Sequence, residues 1–221
     1  MSEFLPGEIR GVIFDCDGVL IDSRSANITY YNKLLEAIGR PPMSPAQEEF
    51  VHMASERQAV GHIFPSEAVA CYDQVATKVP YKQVVLPLLT LESGVLETLL
   101  WLRDCGVRLA VHTNRGSGMW DLLDKFALRE VFDPVMTVEL VAPKPSSEGV
   151  RRILDAWNMG PDSVVFVGDS LADARAAGGE SVPFVAFRNP ELQASAHSAG
   201  FQELRELFAP HILMKNQAPS F

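Results

Sequence analysis

Short, nearly uninterrupted apolar runs recur along this chain with a helically spaced stretch after each, and that alternation narrows the possible folds more than any other feature. The first run is Gly11-Val12-Ile13-Phe14; Val107–Val111, Val135–Val138, Val164–Val167 and a weaker Pro183–Phe187 follow. A run that is apolar at every position suits a strand buried on both faces, as in a parallel sheet. Between the runs, Gly94–Asp104 places Val95, Leu99 and Leu102 at helical spacing and meets a stop at Gly106. Gly118–Phe126, Ser147–Trp157, Leu171–Ala177 and Phe201–Phe208 follow the same logic. Strand and helix in alternation predict an α/β fold, a parallel sheet wrapped by helices.

One interval departs from the alternation. Between the first strand and Gly94 lie roughly seventy residues with no convincing strand, far more chain than a crossover needs. Ser25–Ile38 carries Ile28, Tyr31, Leu34, Leu35 and Ile38 on one side and ends at Gly39-Arg40-Pro41-Pro42. Pro45–Ala54, Glu56–Phe64 and Ser66–Thr77 read as further short helices, punctuated by Pro65 and Pro80. The expectation is a helical insert of residues 22–89 sitting over the strand ends, with residues 1–21 and 90–221 forming the core. Lys215–Phe221 is expected to be a loose tail.

A chain of 221 residues with 47% hydrophobic and 21% charged side chains has the balance of an ordinary soluble protein, not of a disordered one. The net charge of −9 argues against a nucleic-acid binder and against adhesion to anionic membranes. It does not oppose a phosphorylated substrate, because a divalent cation and a few basic groups override the global charge locally. Cys16, Cys71 and Cys105 are too few and too unevenly spaced for a disulfide framework or a zinc site. The N-terminal residues lack the basic-then-apolar pattern of a signal peptide, and the longest apolar runs, such as Val84–Leu91, fall far short of a membrane span. A cytoplasmic location is expected.

The chemistry-bearing residues gather where the predicted strands end. Asp15-Cys16-Asp17-Gly18-Val19-Leu20 directly follows the first run, and ligands of open α/β sheets bind beyond the carboxyl ends of strands. Gly18 permits the sharp turn that lets both carboxylates reach one site; a solvated Asp-Gly turn would show the same letters. His112-Thr113-Asn114 ends the second strand in a hydroxyl and an amide, which suit phosphate oxygens and equally suit a helix N-cap. Lys144 stands between Pro143 and Pro145, a cation in a stiffened segment. Gly168-Asp169-Ser170, with Asp173 after it, ends the fourth strand in another acid, where Asp169 or Ser170 also suits an N-cap. Singly each pattern is common; in this order on successive segments the set is not.

In these motifs, with Phe132-Asp133 ahead of the third strand, the chain resembles the haloacid dehalogenase superfamily, in the branch of phosphoglycolate phosphatases and β-phosphoglucomutases. The resemblance runs from residue 9 to about 187 and implies a Rossmann-like doubly wound core with an α-helical cap domain inserted after the first strand. It implies a Mg²⁺-dependent phosphohydrolase of a small phosphorylated metabolite, with Asp15 as the nucleophile that becomes an aspartyl-phosphate. Asp17 would protonate the leaving oxygen and then activate water, while Thr113 and Lys144 would hold the phosphoryl group, supported by Asn114. Asp15, the backbone carbonyl of Asp17, and Asp169 would bind Mg²⁺, with Asp173 positioning the lysine or the metal's waters. Superfamily members that cleave carbon–halogen bonds lack an acid at the place of Asp17, so Asp17 favours phosphate esters.

The remaining candidates are weaker. Arg57 falls where related caps place a substrate-reading residue, and Arg115, just after the phosphate-binding strand, is a further substrate contact. His52, His62, Lys78 and Lys82 read more readily as solvent-facing or internally satisfied. Cys16, between two carboxylates that raise a thiol's pKa, reads as filler, and Trp101, Trp120 and Trp157 read as packing residues. The same motifs leave a phosphosugar mutase open; a non-enzymatic phospho-ligand binder has no need of both Asp15 and Asp17, and a response-regulator-like phosphoacceptor fits the insert poorly. A monomer or homodimer is expected, with no nucleic-acid or membrane partner.

Overall fold

A computed structural model describes residues 5–53, 56–116 and 118–213, the side chains at 52, 53, 56, 57 and 81 excepted. The strands are β1 (Gly11–Phe14), β2 (Ile21–Asp22), β3 (Thr90–Leu91), β4 (Arg108–His112), β5 (Val135–Met136), β6 (Val164–Gly168), β7 (Phe184–Phe187) and β8 (Ala196–Ser198). The helices are α1 (Arg24–Ala37), α2 (Pro45–Met53), α3 (Glu56–Ile63), α4 (Ser66–Val69), α5 (Tyr72–Ala76), α6 (Tyr81–Val84), α7 (Val95–Asp104), α8 (Gly118–Lys125), α9 (Glu148–Trp157), α10 (Leu171–Gly179) and α11 (Phe201–Phe208). Among these residues no helix is long and apolar enough to cross a membrane.

The chain divides into two compact units, one of Met1–Ile21 with Leu91–Phe221 and one of Asp22–Thr90. The first holds a six-stranded sheet in the order β5-β4-β1-β6-β7-β8, parallel throughout. This is the α/β architecture with a parallel sheet that the alternation predicts, in the doubly wound form that the resemblance implies. Every residue of β1 is buried, because β4 and β6 flank it in register: Gly11 pairs with Arg108 on one side and Val164 on the other. Successive strand residues face opposite ways. Ile13, Ala110 and Phe166 pack under Val150, Ile153, Leu154 and Trp157 of α9 and under Ala176 and Ala177 of α10. Phe14 and Phe187 meet Phe201 of α11, with ring centroids 6.3 Å and 5.1 Å apart. The spacing 150, 153, 154, 157 is the helical stripe that makes α9 a core helix, and Asn158 in the left-handed conformation ends it. Trp157 also donates to the Asp133 carbonyl at 2.7 Å.

The second unit is helical and has its own apolar cluster, including Tyr31, Leu34, Leu35, Val51, Val60, Ile63, Phe64 and Val75. Two differences from the sequence reading have local causes. Ser66–Thr77 is not one helix: the Cys71 N–H turns back to the Ala68 carbonyl at 3.1 Å, which tightens and ends α4 before α5 begins. The run Val135–Val138 is a strand only to Met136, because the Thr137 carbonyl accepts from the N–H groups of Leu140 and Val141, a turn incompatible with a ladder. Three short strands carry too little β-branched sequence to be expected. β8 pairs with β7, and β2 pairs with β3 inside the interval that shows no convincing strand. Lys215–Phe221 lies outside the described residues.

Candidate active site

The sheet order converts distant sequence positions into neighbours. β1, β4 and β6 run parallel and adjacent, so the residues following each of them emerge at the same edge. Asp15 follows β1, Thr113 follows β4, and Asp169 follows β6. The Asp15 N–H continues the ladder by donating to the Val167 carbonyl at 2.9 Å, which fixes the backbone of the first acid against the strand that leads to Asp169.

Lys144 joins these ends. Its Nζ donates to Asp15 Oδ1 and to Asp173 Oδ1, each at 2.6 Å, and its side chain is 3% exposed. Asn114 holds the lysine's backbone on both sides: its Oδ1 accepts from the Lys144 N–H at 2.7 Å and its Nδ2 donates to the Lys144 carbonyl at 3.2 Å. Asp173 is fully buried, and its Oδ2 accepts from the N–H and the hydroxyl of Ser170, at 3.0 Å and 2.5 Å. With the Asp173 N–H donating back to Ser170 Oγ, this is a capping box at the start of α10. One carboxylate therefore caps a helix and anchors the lysine.

The electrostatics follow from burial. Burial and the neighbouring Asp173 carboxylate raise the pKa of Asp15 well above the carboxylate range, against the pull of Lys144. Burial first and Asp173 second push Asp169 up to about 7. Burial acts to lower the pKa of Lys144, but the carboxylates of Asp15 and Asp173 outweigh it and keep the ammonium charged. Cys16 is fully buried, and burial together with Asp17 raises its thiol far beyond any reactive range, so it is a packing residue.

Carboxylate oxygens of Asp15, Asp169 and Asp173 lie within 4.8 Å of one another. Asp15 and Asp173 share the Lys144 ammonium while Asp169 adds a third carboxylate. A small set of hard oxygen donors with excess negative charge fits a Mg²⁺ ion, which keeps waters and phosphate oxygens in its remaining positions. The carboxylate of Asp17 is not in this group. It is gripped by Arg115, whose Nε and Nη2 each donate to it at 2.6 Å. Gly18 turns the chain at φ +76°, and a Cβ there would collide with Asp169 Oδ2, so glycine is required at this turn.

Thr113 is buried, its hydroxyl accepting from the Arg115 N–H at 3.1 Å. Asp15, Asp17, Thr113, Asn114, Arg115, Lys144, Asp169 and Asp173 thus converge on the strand-end loops of the first unit. Arg57 and His52 lie in α3 and α2 of the second unit, and their side chains are outside the described residues. His62 is exposed and stacks on Phe50 of the same unit with centroids 4.0 Å apart.

Two features have no strong sequence signal. The Arg115–Asp17 pair bridges positions 98 apart. His112, the last residue of β4, is fully buried with neither ring nitrogen paired to any described residue. Burial and nearby Lys144 lower its pKa to about 4, and α9 presents Gly149 to the ring because a Cβ would collide with it.

A sequence profile described as haloacid dehalogenase-like hydrolase matches residues 12–187. The phosphoglycolate phosphatase of Pseudomonas putida is 29% identical over 192 residues, which cover 80% of this chain and 68% of that protein. The phosphoglycolate phosphatase of Caulobacter vibrioides is 30% identical over 185 residues, covering 79% and 77%. Among crystal structures, a HAD-superfamily hydrolase of subfamily IA, variant 1, from Geobacter sulfurreducens has a TM-score of 0.80 at 35% identity, covering 94% of this chain and 99% of that one.

Proposed function

Because this chain belongs to the haloacid dehalogenase-like hydrolase family, we propose that it is a Mg²⁺-dependent phosphatase that hydrolyses a small phosphate monoester through an aspartyl-phosphate on Asp15. The observation that carries this reading is the buried Asp15–Lys144–Asp173 arrangement beside Asp169. Phosphoryl transfer needs positioning and charge stabilisation more than covalent chemistry from the protein. A carboxylate approaching an anionic phosphate meets repulsion of about 4 kcal/mol at contact range and an effective dielectric near 20. Lys144 offsets it from beside the nucleophile. A Mg²⁺ ion held by Asp15, Asp169 and the backbone carbonyl of Asp17 would supply further neutralisation of phosphate charge.

In the first step an Asp15 oxygen bonds to phosphorus while the ester P–O bond breaks, and Asp17 gives its proton to the departing oxygen. In the second, water attacks the phosphoryl group, its proton passes to Asp17, and Asp15 leaves as a carboxylate with release of inorganic phosphate. Thr113 and Lys144 hold phosphoryl oxygens throughout, and Asp173 keeps Lys144 aimed. The helical unit Asp22–Thr90 acts as the cap, with Arg57 as a substrate contact. The named relatives favour phosphoglycolate or a similarly small ester.

Phosphate release from a panel of small esters, with Mg²⁺ and with EDTA, tests the reading beside Asp15→Asn. The expected result is Mg²⁺-dependent release that Asp15→Asn abolishes. Release that persists in the variant, or none from any ester with wild type, overturns it, and isomerised sugar phosphate in place of phosphate would identify a mutase.

A further inference from the structure

We propose that Arg115 is a positioning residue for the second half of the reaction, holding the Asp17 carboxylate as the oriented acceptor of the attacking water's proton. The inference rests on the reading of Asp15 as nucleophile and Asp17 as proton carrier. Its basis is the fork between the two side chains. Arg115 Nε donates to Asp17 Oδ2 and Nη2 to Oδ1, both at 2.6 Å, and the Arg115 side chain is only 12% exposed. Two parallel bonds from a planar guanidinium fix the plane of a carboxylate as well as its distance, which a lysine would not do.

The base of the fork is itself anchored. The Arg115 N–H donates to Thr113 Oγ1 at 3.1 Å, and its carbonyl accepts from the Val138 N–H at 3.2 Å. Position therefore passes from the strand ends to the guanidinium and from it to Asp17. A carboxylate gripped through both oxygens is held in one plane as a hydrogen-bond acceptor. That is the state needed when water oxygen bonds to phosphorus, the bond from phosphorus to the Asp15 oxygen breaks, and the water proton moves to Asp17. The first half-reaction asks the opposite of Asp17, a proton for the leaving oxygen, and gains nothing from the fork. Loss of Arg115 should therefore fall unequally on the two halves.

The test uses the full chain with Mg²⁺ and p-nitrophenyl phosphate, whose leaving group departs without protonation, in wild type, Arg115→Lys and Arg115→Gln. Rapid quench would follow p-nitrophenol, phosphate and trapped phosphoenzyme. In both variants we expect a burst of p-nitrophenol approaching one per site, accumulated phosphoenzyme, and steady turnover reduced roughly 100-fold by the misplaced acceptor. KM for a small ester without further charge should not rise, and thermal melting should match wild type. Equal slowing of both halves without accumulated phosphoenzyme would overturn the inference, as would a raised KM at unchanged kcat, the mark of a substrate contact. Wild type that turns over yet never forms trappable phosphoenzyme would instead overturn the Asp15 reading, and the inference with it.

Discussion

At the scale of single residues, two positions carry consequences that their neighbours do not share. Gly18 combines φ +76° with an Asp169 carboxylate where a Cβ would stand. Gly18→Ala pays the left-handed strain of about 1–2 kcal/mol and also pushes Asp169 aside. Calorimetric titration with Mg²⁺ should show affinity reduced roughly 10-fold or more; unchanged affinity would remove Asp169 from the ligand set. His112 is a stability matter. Its ordinary pKa of 6.5 falls to about 4 on folding, so the folded state prefers the neutral ring. Above pH 6.5 both states are neutral and the residue contributes no slope. As pH falls from 6.5 to 4 the unfolded chain takes up a proton that the folded chain refuses, and stability drops by about 3 kcal/mol. Urea midpoints measured between pH 8 and 4.5 should therefore decline less steeply in His112→Leu than in wild type.

At the scale of elements, the start of α10 joins structure to chemistry. Ser170 and Asp173 satisfy each other's backbone N–H groups, and the second oxygen of Asp173 receives Lys144. Ser170→Ala should cost about 1 kcal/mol as a lost cap, read as a lower urea midpoint at constant slope. It should lower kcat as well, because Lys144 loses the fixed orientation of its partner; stability lost with kcat intact would separate the cap from the site. The Ser170-x-x-Asp173 spacing is readable in sequence, as is the order of acids, hydroxyl and lysine after apolar runs. The strands flanking the site were legible because burial on both faces leaves continuous apolar runs. β8 was not, since Ala196-His197-Ser198 pairs through backbone and through position beside β7. The partner of Arg115 was not legible either: the residue type invites a phosphate, and only the meeting of the β1 and β4 loops reveals Asp17.

At the scale of the whole molecule, the chain crosses between units twice, and the crossings adjoin within the core unit, where the Glu92 N–H donates to the Leu20 carbonyl at 3.0 Å. Each unit has its own apolar cluster. Replacing Asp22–Thr90 with a short glycine-rich turn should leave a core that unfolds cooperatively in urea, with near-native far-ultraviolet dichroism for its remaining helices. A broad, uncooperative transition would show that the core depends on the insert. The central place of β1 also bears on how the protein is made. Its partner β6 begins roughly 150 residues after Gly11-Val12-Ile13-Phe14, a wait of about 8–30 s at ordinary elongation rates. β4 is made first, so β1 has neither neighbour for the earlier part of that interval and only one of the two for the rest. An unpaired apolar strand edge is open to wrong partners over that interval, and Asp15 is made long before Lys144, Asp169 and Asp173, the residues that come to surround it.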